Sequence, residues 1–355
     1  MVVVMTPEER YYAALGGEIP DHVPIIIWNN KLPGEPIDEQ LLDLGVCIVV
    51  KSSVWEQVFH NIDIDYKDEC AAQETIIRDT VFHTDAGDIQ MTQRIMPWTI
   101  WIEKYPFSSS DDYGALECLI SSRYYEPDFK RFVDDEAKYG HQSVARPVTI
   151  HSPMHELIYE FMGIEKFSIE YSENRDRLLH LADVLKQDWR RRIELVAASP
   201  AKFAVIEGNT QFSVVGPERF KKYYLPCIQE ACDILHSKGI YAGAHLDGDN
   251  KTLAPLIAET SLDFIESFTP PPDCDFPLAA ARKVWPEKTL IVHVPSSIHL
   301  AGIPAIETKL EHILKQVKPG NRFIIGSIED VPNRGINTLV PLFNYLSTHG
   351  KLPLT

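Results

Sequence analysis

Residues 241–249 read YAGAHLDGD, a run of small apolar residues that passes through His245 into a turn at Gly248. Asp247 follows His245 at an interval of two. Side chains two positions apart on an extended strand point to the same side. The stretch therefore predicts a buried strand whose end directs an imidazole and a carboxylate into one space. Such a pair can bind a metal ion or exchange protons.

Seven further short apolar runs resemble this strand, and helical patterns separate them along the chain. Continuous apolar runs of this length are typical of strands that are buried on both faces of a parallel sheet. The eight predicted strands are residues 23–28, 47–51, 148–151, 203–207, 241–245, 262–268, 290–294 and 322–326.

This alternation predicts an α/β fold, a (β/α)8 TIM barrel. An open doubly wound sheet would carry a glycine-rich phosphate loop after its first strand, where this chain has WNNK at 28–31. Residues 74–107 alternate differently and turn at DAGD, so they predict an inserted antiparallel hairpin over one end of the barrel. We expect one domain over residues 1–355.

The composition limits the possible partners. A formal net charge of −17 argues against nucleic acid, anionic membranes and polyanionic substrates. No stretch has the ~20 apolar residues of a membrane span. The six cysteines form no C-x-x-C pair. We therefore expect a cytoplasmic protein without disulfides.

Active sites of such barrels lie at the carboxyl ends of the strands. Histidines, carboxylates and amides follow several of the predicted strands there. The candidates are Asn29, His151, Glu207, Asn209, His245, Asp247, Glu266, His293 and Glu329.

Structural roles are open for several of these candidates. Asp247 could bond to its own turn at Gly248, as aspartate before glycine often does. Glu207 and Glu266 could form buried ion pairs, because an unpaired carboxylate is costly inside a protein. Glu329 could begin a helix, and the inward histidines His151 and His293 could be ordinary core residues.

Several stretches resemble the uroporphyrinogen decarboxylase superfamily over roughly residues 5–345. The opening is MTPEERYYAALGGEIPDHVP at 5–24, and HTDAGDI at 83–89 and PERFKKYYLP at 217–226 also fit. HLDGDNKTLAPLIAETSLDFIESFTPPP at 245–272, ARKVWPEKTL at 281–290 and FIIGSIEDVP at 323–332 resemble one branch, the corrinoid-dependent methyltransferases.

The superfamily contains two chemistries. Metal-free decarboxylation of porphyrinogens uses an arginine-rich segment after the first strand, and this chain has no arginine between Arg10 and Arg78. The methyltransferases often hold zinc with a His-x-Cys pair on the fifth strand and a later cysteine. This chain keeps His245, but Asp247 replaces the first cysteine, and Ser327 or Glu329 stands near the last. A harder ligand set favours activation of an ether oxygen over that of a thiol.

The resemblance thus implies zinc held by His245, Asp247 and one or two further carboxylates. The expected ligands are Glu266 and Glu329, with Glu207 and His293 as catalytic residues, and Glu207 is an alternative ligand. The methyl group of a small-molecule donor, best an aryl methyl ether in an O-demethylation, would pass to the Co(I) corrinoid (cobalamin) of a partner protein. The chain itself has no clear cobalamin signature.

Substrate-binding roles are expected for Asn29, His151, Asn209 and Trp98. Trp98, Trp101 and Phe107 could line an aromatic pocket. Methylamines and methylated thiols remain alternative donors. A decarboxylase or a non-catalytic binding protein on the same fold remains an alternative function.

Overall fold

Seven of the eight predicted apolar runs form parallel strands that pair side by side, and the segment just before the predicted run at 148–151 forms the remaining strand. The computed structural model describes residues 4–71, 74–97, 99–208, 210, 212–332 and 337–354. In chain order the strands are β1 Ile25–Trp28, β2 Cys47–Ser52, β3 Trp55–Phe59, β4 Asp63–Cys70, β5 Ile76–Thr84, β6 Gly87–Met96, β7 Thr99–Lys104, β8 Arg123–Pro127, β9 Ser143–Pro147, β10 Phe203–Gly208, β11 Tyr241–His245, β12 Phe264–Phe268, β13 Thr289–His293 and β14 Phe323–Ser327.

Helices follow most of the parallel strands. They are α1 Pro7–Leu15, α2 Ile37–Asp43, α3 Tyr113–Ser121, α4 Phe129–Ala137, α5 Pro153–Glu156, α6 Gly163–Glu173, α7 Arg175–Ala198, α8 Phe212–Val215, α9 Pro217–Arg219, α10 Leu225–His236, α11 Ala254–Ala258, α12 Leu278–Val284, α13 Ser296–Leu300, α14 Ile303–Gln316 and α15 Leu339–His349. None of the helices in the described ranges is long and apolar enough to cross a bilayer.

The parallel sheet is a nearly closed barrel. Its strand order is β10-β11-β12-β13-β14-β1-β2-β9, so β9 and β10 are the two ends. The amide of Ile150, just beyond β9, donates to the carbonyl of Val205 on β10 at 3.2 Å and links these ends. The predicted α/β TIM-barrel class is therefore confirmed.

The chain divides into two compact units. The barrel unit comprises the described residues of Met1–Val54, Asp128–Ile150 and Val196–Thr355, and the second unit those of Trp55–Pro127 and His151–Leu195. The expectation of one domain over residues 1–355 stays a prediction.

The second unit contains the predicted hairpin. Strands β5 and β6 pair antiparallel with Thr84 opposite Gly87, which confirms the turn. Strands β4 and β7 extend this hairpin to four strands in the order β4-β5-β6-β7, and β3 pairs with β8 in a separate ribbon. The antiparallel structure is thus larger than residues 74–107 suggested.

The third barrel strand differs from the prediction, which placed it at 148–151. The strand is β9, whose residues are all buried, whereas Val148 is 37% exposed. Register pairs Val49 of β2 with Val144 of β9. A charged residue such as Arg146 is uncommon in a buried strand, and here an ion pair with Glu266 inside the barrel compensates its charge.

Helix α1 covers the amino-terminal end of the barrel. Thr6 Oγ1 accepts from the amide of Glu9 at 3.2 Å, and the Glu9 carboxylate accepts from the amide of Thr6 at 2.7 Å, so the helix begins with a capping box. Tyr11 and Ala14 are fully buried in the barrel core. Thr289 Oγ1 at the start of β13 donates to the carbonyl of Ala14 at 3.0 Å.

An apolar layer fills the barrel above α1, as the inward-facing residues of such barrels do. It includes Ile26, Val49, Val144, Val205, Phe264, Ile291 and Ile324. The next inward position on each strand lies nearer the carboxyl end, and there the residue types change. On β14 that position is Gly326.

Gly326 allows close approach of two strands. A Cβ atom at this position would lie 1.9 Å from the carbonyl oxygen of Ile26 on β1, closer than any contact a protein tolerates. We expect Gly326→Ala to destabilise the protein by about 3 kcal/mol, the upper part of the range for overpacking. Urea denaturation followed by circular dichroism measures this change.

The matched control is Gly114→Ala in α3. There the nearest atom to the new Cβ is the Ala86 Cβ at an ordinary 3.6 Å, so stability should stay equal or rise by about 0.5–1 kcal/mol. Equal stability of Gly326→Ala and the unsubstituted protein would contradict the close approach.

Candidate functional site

A polar layer lies at the carboxyl end of the barrel, one inward position beyond the apolar layer. Because side chains alternate along a strand, the inward-facing residue after Ile26 is Trp28, and the one after Val49 is Lys51. The same spacing of two residues relates the two layers on the other regular strands. The members of this polar layer are Trp28, Lys51, Arg146, His245, Glu266 and His293. All but Lys51 are buried, and Lys51 is partly exposed.

The His245 imidazole contacts carboxylates through both ring nitrogens. Its Nδ1 lies 3.1 Å from Glu266 Oε2. Its Nε2 lies 3.1 Å from Glu329 Oε1 and 3.7 Å from Asp247 Oδ2. Burial disfavours the imidazolium, but Asp247, Glu266 and Glu329 together hold the pKa of His245 well above its ordinary value.

Glu266 connects His245 to a buried arginine. Arg146 places Nη2 3.1 Å from Glu266 Oε2 and Nε 3.1 Å from Oε1, and both side chains are at most 2% exposed. Burial opposes ionisation of Glu266, but Arg146 and then His245 lower its pKa below the ordinary range. An anionic Glu266 holds a proton on Nδ1 of His245, which leaves Nε2 as the atom that faces Asp247 and Glu329.

The Glu329 carboxylate contacts side chains from two strands, His245 on β11 and Ser267 on β12. Ser267 on β12 has a φ of +59°, a left-handed conformation that is uncommon for a residue other than glycine. Its hydroxyl donates to Glu329 Oε1. Burial raises the pKa of Glu329, but the hydrogen bonds and charge of His245 and the bond from Ser267 lower it to about 2. Glu329 is therefore an anion at neutral pH.

His293 is a neutral residue of fixed tautomer. Its Nδ1 accepts from the amides of Ile328 at 3.2 Å and Glu329 at 3.4 Å, so Nε2 carries the proton and lies 3.2 Å from Ser296 Oγ. Burial lowers the pKa of His293 to about 4.

A cavity of about 420 Å³ opens beside this cluster, within the size range of small-molecule sites. Carboxylates and neutral polar groups line it. Its lining includes Asp247, Asp249, Asp273, Cys274, His293 and Glu329. The Cys274 thiol donates to the carbonyl of Asp247 at 2.7 Å, and burial raises the pKa of Cys274 to about 12, so the thiol stays protonated.

His245, Asp247 and Glu329 could hold a metal ion. One donor atom from each lies within 4.8 Å of the others. Tetrahedral zinc with bonds of ~2.0–2.2 Å separates its ligand atoms by about 3.3–3.5 Å, which the 3.1 and 3.7 Å contacts of His245 Nε2 bracket. Asp247 Oδ1 is buried and has no hydrogen-bond donor among the described residues. This donor set fits zinc, and Glu266 lies on the opposite side of the imidazole.

Trp28 lies between basic and acidic parts of the layer. Its ring centroid is 5.6 Å from that of His245 and 2.9 Å from Lys51 Nζ, while the Arg146 guanidinium carbon lies 5.4 Å away. Asn29, a predicted substrate-binding residue, follows Trp28 and accepts from the amide of Lys51 at 3.3 Å.

The other predicted site residues lie elsewhere or outside the described residues. Glu207 is fully buried, but a register shift in β10 between Val205 and Gly208 interrupts the alternation there, and its Oε1 accepts from the Gly208 amide at 3.1 Å. His151 belongs to the second unit, where its ring stacks on His155 at 4.3 Å. Asn209 and Trp98 lie outside the described residues, and the pocket roles of Trp98 and its neighbours stay predictions.

Three residues of the polar layer were not predicted from the sequence: Trp28, Lys51 and Arg146. The signal for Lys51 was present, because it ends the run CIVVK at an inward position. Arg146 was missed because the third strand was placed too late. Ser267 gave no signal, since its backbone conformation does not follow from residue type.

Comparisons with known proteins identify a fold and no family. No protein-family model matches the sequence, and no curated protein matches it significantly. Among solved structures, a methyltransferase from Methanosarcina mazei is similar with a TM-score of 0.59 over 97% of this chain and 99% of that chain. The two sequences are 11% identical, so the likeness shows that this chain shares the fold of that protein.

The Arg146–Glu266 pair yields a stability prediction. Arg146→Met removes the main cation beside the buried Glu266 carboxylate, so we expect the free energy of unfolding to fall by about 3–5 kcal/mol. Urea denaturation measures the loss. The control is Arg78→Met, which removes an exposed ion pair with Asp68 at 2.7 Å and should leave the midpoint unchanged. Similar midpoints for both variants would refute the buried pair.

Lys51 makes stability depend on pH. Burial lowers its pKa from 10.5 to about 7, Arg146 and Lys31 add to this effect, and Glu266 and Glu329 oppose it. Between these values the unfolded chain binds a proton that the folded chain has released. Stability should therefore rise from pH 7 to about pH 10, by at most about 1.4 kcal/mol per pH unit, relative to Lys51→Met.

Urea denaturation of both proteins at pH 7, 8, 9 and 10 tests this slope. A stability difference between the two proteins that stays constant across the series would show that Lys51 has an ordinary pKa.

Proposed function

We propose that this protein is a zinc-dependent methyltransferase that moves the methyl group of an aryl methyl ether to the Co(I) corrinoid of a partner protein. The observation that carries the proposal is the convergence of His245 Nε2, Asp247 and Glu329 beside a cavity at the carboxyl end of the barrel. The methyltransferase name of the similar structure and the resemblance of the sequence to corrinoid-dependent enzymes both support methyl transfer.

The ligand set favours an oxygen substrate. One imidazole and two carboxylates are harder donors than thiolates, and the cavity's Cys274 stays a protonated thiol. When bound there, zinc would supply Lewis-acid stabilisation of the negative charge that develops on the ether oxygen. The electron pair of the C–O bond stays with the aryl oxygen, and the electron pair of Co(I) forms the new carbon–cobalt bond.

The chain's own residues prepare this site. Glu266 keeps the proton on Nδ1 of His245, so Nε2 is the nitrogen that would release its proton and bind the metal. Ser267 orients the Glu329 carboxylate. His293 stays neutral at the cavity wall and donates its Nε2–H to Ser296 Oγ, so it holds Ser296 in place without repelling a cation. Catalytic roles for His293 and Glu207 stay predictions.

The decarboxylase alternative has less support. A substrate with eight carboxylates needs several free cations, and Arg146 is already paired with Glu266 inside the barrel. The non-catalytic alternative predicts a protein that neither retains zinc nor transfers methyl groups, so the same experiment separates it from the enzyme.

Substitution of His245 tests the proposal. Protein purified without chelator should contain about one zinc per chain, and His245→Ala should lose the metal and at least 100-fold in methyl-transfer rate, because it removes the only nitrogen donor of the group. Zinc is measured by mass spectrometry. Methylcobalamin formation from reduced cobalamin is followed by absorbance with 4-methoxybenzoate, trimethylamine and dimethyl sulfide as donors.

Cys274→Ala is the matched control, since Cys274 lines the same cavity but supplies no donor to the group. It should keep both zinc and activity. Loss of zinc in Cys274→Ala would show that the ligand set is wrong. Zinc-free, inactive unsubstituted protein would favour the non-catalytic alternative.

A further inference from the structure

We propose that the second unit binds a small organic carboxylate with an apolar body, in a cavity between β8 and α7. The inference rests on residues of the second unit alone and does not depend on the proposed function. The cavity has a volume of about 300 Å³, at the lower end of the range for small-molecule sites, so it suits a molecule of about one ring. Its lining residues are Arg123, Tyr124, Tyr125, Arg191, Glu194 and Leu195.

Helix α7 and strand β8 meet at one buried carboxylate beside this cavity. Arg191 and Leu195 follow Asp188 at intervals of three and seven residues, so the three side chains lie on one face of α7. Arg123 and Tyr125 are two positions apart on β8 and reach the same carboxylate. The Tyr125 hydroxyl donates to Asp188 at 2.9 Å, and Arg123 Nη1 lies 3.4 Å from Asp188 Oδ2. A network of charges therefore lies behind the cavity wall.

This network contains more cations than carboxylates. Three guanidinium groups lie within 3.4 Å of Asp188, those of Arg123, Arg191 and Arg192. Glu156 is the second carboxylate, 2.8 Å from Arg192 but 4.0 Å from Arg123. Among the residues that the structure describes, these two acids make all the ion pairs of the three arginines. One positive charge of the network therefore has no carboxylate of its own.

The two arginines that line the cavity can bind a further anion. The Arg123 side chain is only 10% exposed, and none of the described residues accepts a hydrogen bond from its Nε. Glu160 acts on Arg123 from beyond ion-pair distance. The Arg191 side chain is half exposed, so a ligand can reach it, and its ion pair with Asp188 is 3.4 Å long. Each guanidinium group has five N–H donors, more than these contacts use.

The other walls of the cavity favour an apolar body and a single negative charge. Tyr124, Tyr125 and Leu195 offer aromatic and methyl surface. The planar fork of an arginine matches the geometry of a carboxylate. Glu194 is exposed and lines the same cavity, so it would repel a doubly charged phosphate more strongly than a carboxylate. A carboxylate attached to one aromatic ring, such as phenylacetate, has both properties.

Fluorine NMR titration with 4-fluorophenylacetate tests the inference, and neutral 4-fluorophenylacetamide is the comparison ligand. We expect the acid to bind more tightly than the amide. Arg191→Met should weaken binding of the acid by about 10-fold and leave the amide unchanged, because it removes a charged hydrogen-bond donor. Arg190→Met is the matched control, since this neighbouring exposed arginine does not line the cavity. It should change neither affinity.

Glu194→Gln gives a signature that damage to the fold would not produce. The substitution removes a negative charge from the cavity wall and keeps the size of the side chain. Because exposed charges interact weakly in water, we expect a gain of only about 2- to 5-fold in affinity for the acid. The affinity for the amide should stay the same.

Several results would overturn the proposal. One is a failure of the acid to bind the unsubstituted protein, and another is equal affinity for acid and amide. Equal affinity for the acid in Arg191→Met and the unsubstituted protein would place any binding elsewhere on the chain. Displacement of the bound acid by inorganic phosphate at lower concentrations than by phenylacetate would show a general anion site and reject the carboxylate class.

Discussion

The buried ion pair between Arg146 and Glu266 is the interaction on which the rest of the site depends. It compensates a carboxylate that is otherwise costly inside the barrel, and that carboxylate then fixes the proton position on His245. Without the arginine, burial would favour the neutral form of Glu266. A neutral carboxylic acid can either donate to Nδ1 of His245 or accept from it, so it would not hold a proton on that nitrogen. One buried cation thus determines which atom of the imidazole faces Asp247 and Glu329.

The site is a polar layer built directly on an apolar one. Because side chains alternate along each strand, the same inward column supplies core residues such as Val49 and Val144 below and Lys51 and Arg146 above. The rigid apolar layer holds the strand ends in place, and the low polarity below strengthens the charge interactions above it. Residues that stabilise the barrel core and residues of the candidate site therefore occupy successive inward positions on the same strands.

Most of the fold followed from apolar runs and turn residues. Seven barrel strands and the hairpin turn before Gly87 lie close to where their patterns predicted them. The third strand was misplaced because a charged residue in a short run normally signals the surface. Its burial depends on Glu266, which is 120 positions away in the sequence, and local patterns carry no information about such a distant partner.

Part of the candidate site could also be predicted from the sequence, because side chains alternate along regular strands. Residues that end regular strands, such as His245 and Glu266, come together as alternation predicts. Glu207 does not join them, because β10 shifts register at this point, and the left-handed backbone of Ser267 was equally invisible. Both irregularities depend on how neighbouring strands pair, so residue types alone could not reveal them.

The donor atoms near His245 have a consequence for the handling of the protein in air. Imidazole and carboxylate groups contain nothing that dioxygen or peroxide readily oxidises, whereas a zinc site built on thiolates loses its ligands to sulfenic acids and disulfides. The nearby Cys274 is a protonated thiol, the slow-reacting form. Oxygen sensitivity of the proposed reaction would then reside in the reduced cobalt of the partner, and this chain would survive aerobic purification with its centre intact.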